Sequence, residues 1–360
     1  MSAMIAVGFG TCPAQESESP AMPSKTSPAA AKSIVYHASD IRAIGAGRRA
    51  NDPVVRRMVD ALVCAVTNCQ DPASAWASLV KKNDIVGIKV AASGGVVSGT
   101  NPAVVNAIVD GLAARGIPGK RIIVWDRNLS DLLASGYIRD GSRYQLRWVD
   151  PRTGYDRQSA VSAPVIGKLI WGDSGFGKIP GGGRFADLAN PEHQLSNQSY
   201  YATVLTKEVT KVINVPSLAD SFLTGVNGAL ANMTLPNLDN WRRFTKPPAY
   251  GDPFLAEIYA DAVIRDKVVL TILDGLVMQY AGGPFPNPGF LVDHSTLYAS
   301  KDPVAIDATA LRLLEEARKP SRLPPIAPMA AWLESAATIG LGHCKETEID
   351  LVRVGADRAP

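Results

Sequence analysis

Two residues have the side chain and the setting for acid–base work. Asp274 ends the apolar run 267–273 and is followed by Gly275. A carboxylate at the tip of a buried strand is costly unless it is hydrogen-bonded or has a task. His294, in the pair Asp293-His294, carries the one side chain that ordinarily titrates near neutrality. Neighbours on an extended segment point to opposite faces, so Asp293 and His294 do not make a direct dyad. His294 stands alone as a candidate acid or base, against the commoner structural histidine. Lys89 and Asp126 also end apolar runs, 85–90 and 121–125. The lysine could face an anionic ligand, or it could pair with Asp126. The stretch 211–236, KVINVPSLADSFLTGVNGALANMTLP, adds Asn214, Thr224, Asn227 and Asn232 as hydrogen-bonding groups interleaved with Gly225 and Gly228. Catalytic roles are thus expected at Asp274 and His294, and ligand contacts at Lys89, Asp126, Asn214, Thr224, Asn227 and Asn232.

These residues need a scaffold that brings strand tips together. Val212, Ile213 and Val215, stopped by Pro216, predict a buried strand that empties into small polar residues, as α/β sheets do at a ligand crevice. The run 85–90, a Gly/Ser-rich exit, a helix opened by Asn101-Pro102 and the run 121–125 make a βαβ unit, which puts Lys89 and Asp126 on one edge of the sheet. A helix over 53–67 carries Val54, Val55, Met58, Val59, Leu62 and Val63 at helical spacing, with Asp52 as a cap. Further helices are predicted at 74–79, 254–262, 303–317 (capped by Asp302 and carrying Asp307) and 327–339, with strands at 267–273, 296–299 and 349–354. The loop 279–290, rich in Gly and Pro, reads as shaped and functional. Between about 136 and 201 the pattern loosens into strand-like pieces at 144–149 and 165–170, read as an inserted, hairpin-rich flap. The fold class is α/β, a mixed, mainly parallel sheet flanked by helices, in one domain over 34–355.

Composition excludes several functions. A chain of 360 residues with 46% hydrophobic and 20% charged residues is globular, and a net charge of +3 without basic clusters gives no nucleic-acid surface. No apolar run approaches the ~20 residues that span a bilayer. Cys12, Cys64, Cys69 and Cys344 form no C-x-x-C pair, and His343 beside Cys344 reads as structural, so no metal set is expected. The string 172–178, GDSGFGK, has phosphate-loop spacing, but Ile179 replaces the magnesium-binding hydroxyl and Pro180 denies the following helix. At the N-terminus, the apolar run 4–9 and Cys12-Pro13-Ala14 precede a polar segment reaching about residue 33, the order of a signal peptide lacking its basic start. The expectation is an exported protein, periplasmic or extracellular.

Three segments together resemble the domain of unknown function 362 family: 84–126, INVPSLADSFLTGVNGALANM, and LTILDGL with GGP and YASKDPVAIDATALRLLEEAR. The string 300–307, SKDPVAID, is the most specific. The resemblance runs from about residue 82 to 355. Some members are joined to iron–sulfur segments, but this chain has no such cysteine cluster. The family pattern Pro-x-x-Lys-x-His, Thr-Gly, Lys-Asn meets Ala219, Ser221 and Ala231 at its three basic positions, leaving Pro216, Thr224, Gly225 and Asn232. Two functions stay open: an enzyme or cofactor-handling protein acting on a small polar or anionic molecule, or a non-catalytic small-molecule-binding protein. The sequence names no cofactor and fixes no oligomeric state.

Overall fold

The computed structural model describes residues 32–138, 143–170, 173 and 195–355. The expected signal segment lies almost wholly outside them, as does the GDSGFGK string apart from Asp173. In chain order the strands are β1 (Ser33–Ser39), β2 (Val86–Val90), β3 (Ile122–Asp126), β4 (Gln145–Trp148), β5 (Tyr155–Lys168), β6 (Leu195–Ala202), β7 (Lys211–Val215), β8 (Ser217–Ser221), β9 (Gly225–Val226), β10 (Val268–Gln279), β11 (Leu291–Ser300) and β12 (Ile349–Arg353). Ten of them make one sheet ordered β12-β1-β11-β10-β7-β2-β3-β4, with β8 on β10 and β9 on β8. The run from β10 to β4 is parallel. β11 runs antiparallel to both its neighbours. The sheet is therefore mixed and mainly parallel, the α/β class expected.

Period-two alternation sorts the strand residues onto two covered faces. Ile88, Val90, Ile213, Val215, Ile122 and Val124 pack with the helices Asp52–Thr67, Pro72–Leu79 and Pro102–Ala114. Trp125, Val212, Leu273 and Tyr298 face the helices Ala229–Thr234, Phe254–Ala260, Pro303–Arg318 and Trp332–Thr338. Gly111 lets the helices Pro72–Leu79 and Pro102–Ala114 approach closely, since a Cβ there would lie 2.1 Å from Trp76 Nε1.

Several elements differ from the sequence reading. The helix cap before Asp52–Thr67 is Asn51, and Asp52 is the first helical residue. The strand expected to stop at Asp274 continues to Gln279, because β10 leaves β7 after Thr271 and gains β8 as a new neighbour at Ser217. Residues 217–226, expected as a crevice loop, are therefore largely strand. Gln145–Trp148, read as part of the insertion, is the edge strand beside β3. The insertion proper is the antiparallel ribbon β5–β6. It is fastened by the buried Arg243, which donates to Val165 O (2.8 Å), Val161 O (3.1 Å) and Ser199 Oγ (3.0 Å).

Asp302 ties three distant segments together. Its Oδ1 caps the helix Pro303–Arg318 by accepting from Val304 N and Ala305 N, both at 2.8 Å. Its Oδ2 accepts the Ser33 hydroxyl and, at 2.9 Å, the His343 N–H. Asp302→Ala removes the cap and strands two further donors. It should lower the unfolding free energy by about 2 kcal/mol or more, read by urea denaturation; an unchanged midpoint would show that the junction contributes nothing.

Candidate functional site

The parallel register sets Lys89 beside Asn214 on one side and Trp125 on the other, with Asp126 one residue further on. Alternation points Lys89 and Asn214 away from Ile88 and Ile213, toward the helix Ala229–Thr234, and there they meet Asn232. The Lys89 ammonium is fully buried. It donates to Asp126 Oδ1 (2.7 Å), Val90 O (2.7 Å) and Asn232 Oδ1 (3.0 Å), which uses all three of its protons. Asn232 Nδ2 donates to Asn214 Oδ1 at 2.8 Å, and Asn214 Nδ2 to Ala229 O at 3.0 Å. Asp126 also accepts from Ala92 N and Arg127 N, each at 2.7 Å. Burial pulls the Lys89 pKa down, and the Asp126 charge opposes that shift.

In front of this network lies a cavity of about 270 Å³. Its walls include Asp126, Thr224, Asn227 and Asn232, four of the eight residues singled out from the sequence. Lys89 and Asn214 are not wall residues, because their polar atoms are spent one layer behind it. Asn232 and Asp126 reach the wall with their hydrogen bonds already committed to the network. The Thr224 hydroxyl donates to Val226 O at 2.9 Å and keeps accepting capacity. The half-buried Asn227 amide has no side-chain hydrogen bond among the described residues, so of the four it is the one free to bind.

Asp274 and His294 are not brought together, nor does either line this cavity. Asp274 sits on the opposite face of the sheet, where Oδ2 accepts from Asn101 N (2.7 Å) and Oδ1 from Leu276 N (3.0 Å), fixing the start of the helix Pro102–Ala114. Burial pushes its pKa up to about 6 against those two hydrogen bonds. His294 is on β11, three strand spacings from β2, roughly 14 Å across the sheet. It borders a surface groove with Asp40, Arg42 and Arg353, and its Nε2 meets Tyr298 OH at 2.7 Å. Burial, then the nearby His37, lowers its pKa. The two residues expected to be catalytic thus lie in separate places, Asp274 behind the sheet and His294 at a surface groove.

The sequence reading missed the charged part of the cavity. Arg127 and Arg242 both line it, beside Trp241. The Arg127 guanidinium lies 5.9 Å and that of Arg242 4.7 Å from the Trp241 ring centre. Arg127 also donates to Leu238 O at 2.5 Å. Arg242 makes no side-chain hydrogen bond or ion pair among the described residues. Partial burial and then the like charge of Arg127 lower its pKa. The signal was present as Asp126-Arg127 at a strand tip and as Trp241-Arg242-Arg243, an aromatic beside two cations. The remaining wall is mostly apolar, with Leu223, Leu235, Pro236, Pro284 and Phe285. Among the described residues, no part of the β5–β6 ribbon lines the cavity. Nor do the described residues hold a cluster of three metal-ligating side chains, or a helix long and apolar enough to cross a membrane.

A family model described as a domain of unknown function (DUF362) matches residues 86–312, more than half of the chain. The chain belongs to the DUF362 family. The match begins at β2 and ends within the helix Pro303–Arg318, so the buried network and both cavity arginines fall inside it. Two of the positions where this chain departs from the DUF362 basic pattern, Ser221 and Ala231, are cavity wall. A comparison with curated proteins gives no match. Among solved structures, the chain is similar to a crystal structure of a protein from Thermotoga maritima, at 10% identity and a TM-score of 0.39, over 76% of this chain and 59% of that one. The chain therefore spans somewhat over half the length of that protein.

Two expected outcomes test this arrangement. Lys89→Met leaves the Asp126 carboxylate buried without its ammonium and should cost about 3–5 kcal/mol in urea unfolding. The double variant Lys89→Met/Asp126→Asn should recover part of that, and a single variant within about 1 kcal/mol of wild type would show the network to be dispensable. The second concerns pH. Asp274 titrates near 6 in the fold against 3.8 as a free side chain, so the fold holds its proton where the unfolded chain has released it. That contribution is complete below about pH 4 and is lost as pH rises through 6. The cost of Asp274→Asn should accordingly be largest at pH 4 and shrink by on the order of 2–3 kcal/mol by pH 7.5, measured by denaturant titration at each pH.

Proposed function

We propose that this DUF362 protein is a non-catalytic binding protein for a small organic anion, held in the cavity between the tips of β2 and β3 and the segment 221–236. The observation that carries this reading is the convergence of Arg127 and Arg242 on one small, largely apolar cavity, with no carboxylate of the described residues in hydrogen-bond or ion-pair contact with the Arg242 guanidinium and Asp173 acting on it only from further off. Guanidinium groups match carboxylates and phosphates in a forked, charge-assisted geometry. Asn227 and the Ser221 hydroxyl, whose oxygen accepts from Leu223 N at 3.1 Å and whose proton is free to donate, supply neutral contacts.

The size supports a metabolite-scale ligand, since about 270 Å³ lies just under the roughly 300 Å³ at which ordinary small-molecule pockets begin. The enzyme reading loses its support with Asp274 and His294, neither of which borders the cavity. Asp126, which does, is neutralised by Lys89. Export belongs to the same proposal, on the strength of the N-terminal sequence alone.

Arg242→Ala should weaken anion binding about tenfold or more, the loss expected for one charge-assisted contact. Isothermal titration of the full chain with acetate and with a larger carboxylate reads this directly. Because Arg242 is exposed, its melting temperature should stay that of wild type. Equal affinity in wild type and variant would remove the anion site.

A further inference from the structure

We propose that the ligand of this cavity is an aromatic monocarboxylate, with its carboxylate against Arg127 and Arg242 and its ring against Phe285, an assignment that rests on the anion-site reading above. The charge of the cavity is nearly balanced. Arg127 and Arg242 share its wall with one open carboxylate, Asp131, which accepts from Asn128 Nδ2 at 2.8 Å; the buried Asp173 acts on Arg242 from nearby, and Asp126 is paired with Lys89. So little positive charge suits a monoanion better than a phosphate dianion. The N–H groups of Ala229 and Leu230 already donate to the buried Asp307 carboxylate, the second at 2.9 Å.

The other half of the ligand is specified by the lip. Phe285 lines the cavity yet is 63% exposed, and its ring lies 6.3 Å from that of Phe222, itself 51% exposed. Two large rings left in water side by side invite an apolar cover. Their placement is fixed by buried groups. Gln279, fully buried, donates to Phe285 O at 2.9 Å and accepts from Asn287 N at 2.9 Å. Asp220 accepts from Gly283 N at 2.8 Å, and Phe222 N donates to Gly283 O at 3.1 Å. A loop held by a buried amide and a buried carboxylate presents Phe285 in a set position, so ring-on-ring contact with a ligand carries little ordering cost. Trp241, with its ring centre 5.9 Å and 4.7 Å from the two guanidinium groups, offers a second aromatic surface.

The test is isothermal titration of the full chain with three probes, acetate, inorganic phosphate and phenylacetate, repeated on Phe285→Ala and Arg242→Ala. Phenylacetate should bind wild type at least tenfold more tightly than acetate or phosphate. Phe285→Ala should abolish that preference without changing acetate affinity, and Arg242→Ala should weaken every probe that binds. If the three probes bind wild type equally, or phosphate binds best, the aromatic assignment falls while the anion site stands. If none binds, both fall. Phenylacetate binding that survives Phe285→Ala intact would also overturn the assignment of the ring contact.

Discussion

A buried ammonium sets the terms for the centre of this molecule. Taking a lysine and an aspartate out of water costs several kcal/mol per ion, and the attraction between them repays it only when every remaining proton and lone pair is satisfied. At Lys89 that demand is met by one carboxylate, one strand carbonyl and one amide, contributed by β2, β3 and the helix Ala229–Thr234. Asn232 in turn needs Asn214 on β7. Three strand tips and one helix are consequently locked in one arrangement, because a shift of any of them would leave a buried charge or amide unpartnered. The wall of the cavity is the outer surface of that lock.

Asp307 imposes a related constraint from behind. Its carboxyl is fully buried and pushed up to about 7 by burial, against the two backbone N–H groups at the start of the helix Ala229–Thr234 that pull it down. Gly228 lies so close that a Cβ there would collide with the carboxylate. The helix carrying Asn232 is therefore gripped at its first turn by Asp307 and in its middle by Lys89, which explains why such a short helix holds a definite position.

The fold was legible in the sequence wherever one kind of periodicity ruled. Apolar runs at 85–90, 121–125 and 212–215 read as parallel strands, and Asn101-Pro102 and Asp302-Pro303 read as helix starts, because local chemistry decides those features. The continuation of β10 past Asp274 was not legible, since it depends on β8 arriving alongside. For the site, strand-tip position brought Asp126 and its neighbours to the correct edge but could not say which face each side chain takes. Asp274 falls on the far face, and Lys89 and Asn214 fall behind the wall. The arginines escaped notice because what marks them is spatial: Arg127 and Arg242 are over a hundred residues apart and come together only in the fold, beside Trp241.

Arg242 and Arg243 are adjacent in the same short turn, Trp241–Phe244, yet they serve opposite clients. The first looks into the cavity, while the second grips the backbone of the β5–β6 ribbon. A single peptide unit thus joins ligand-facing charge to the arm that projects from the sheet. A change of backbone in this one turn would therefore disturb the cavity wall and the anchorage of the ribbon together.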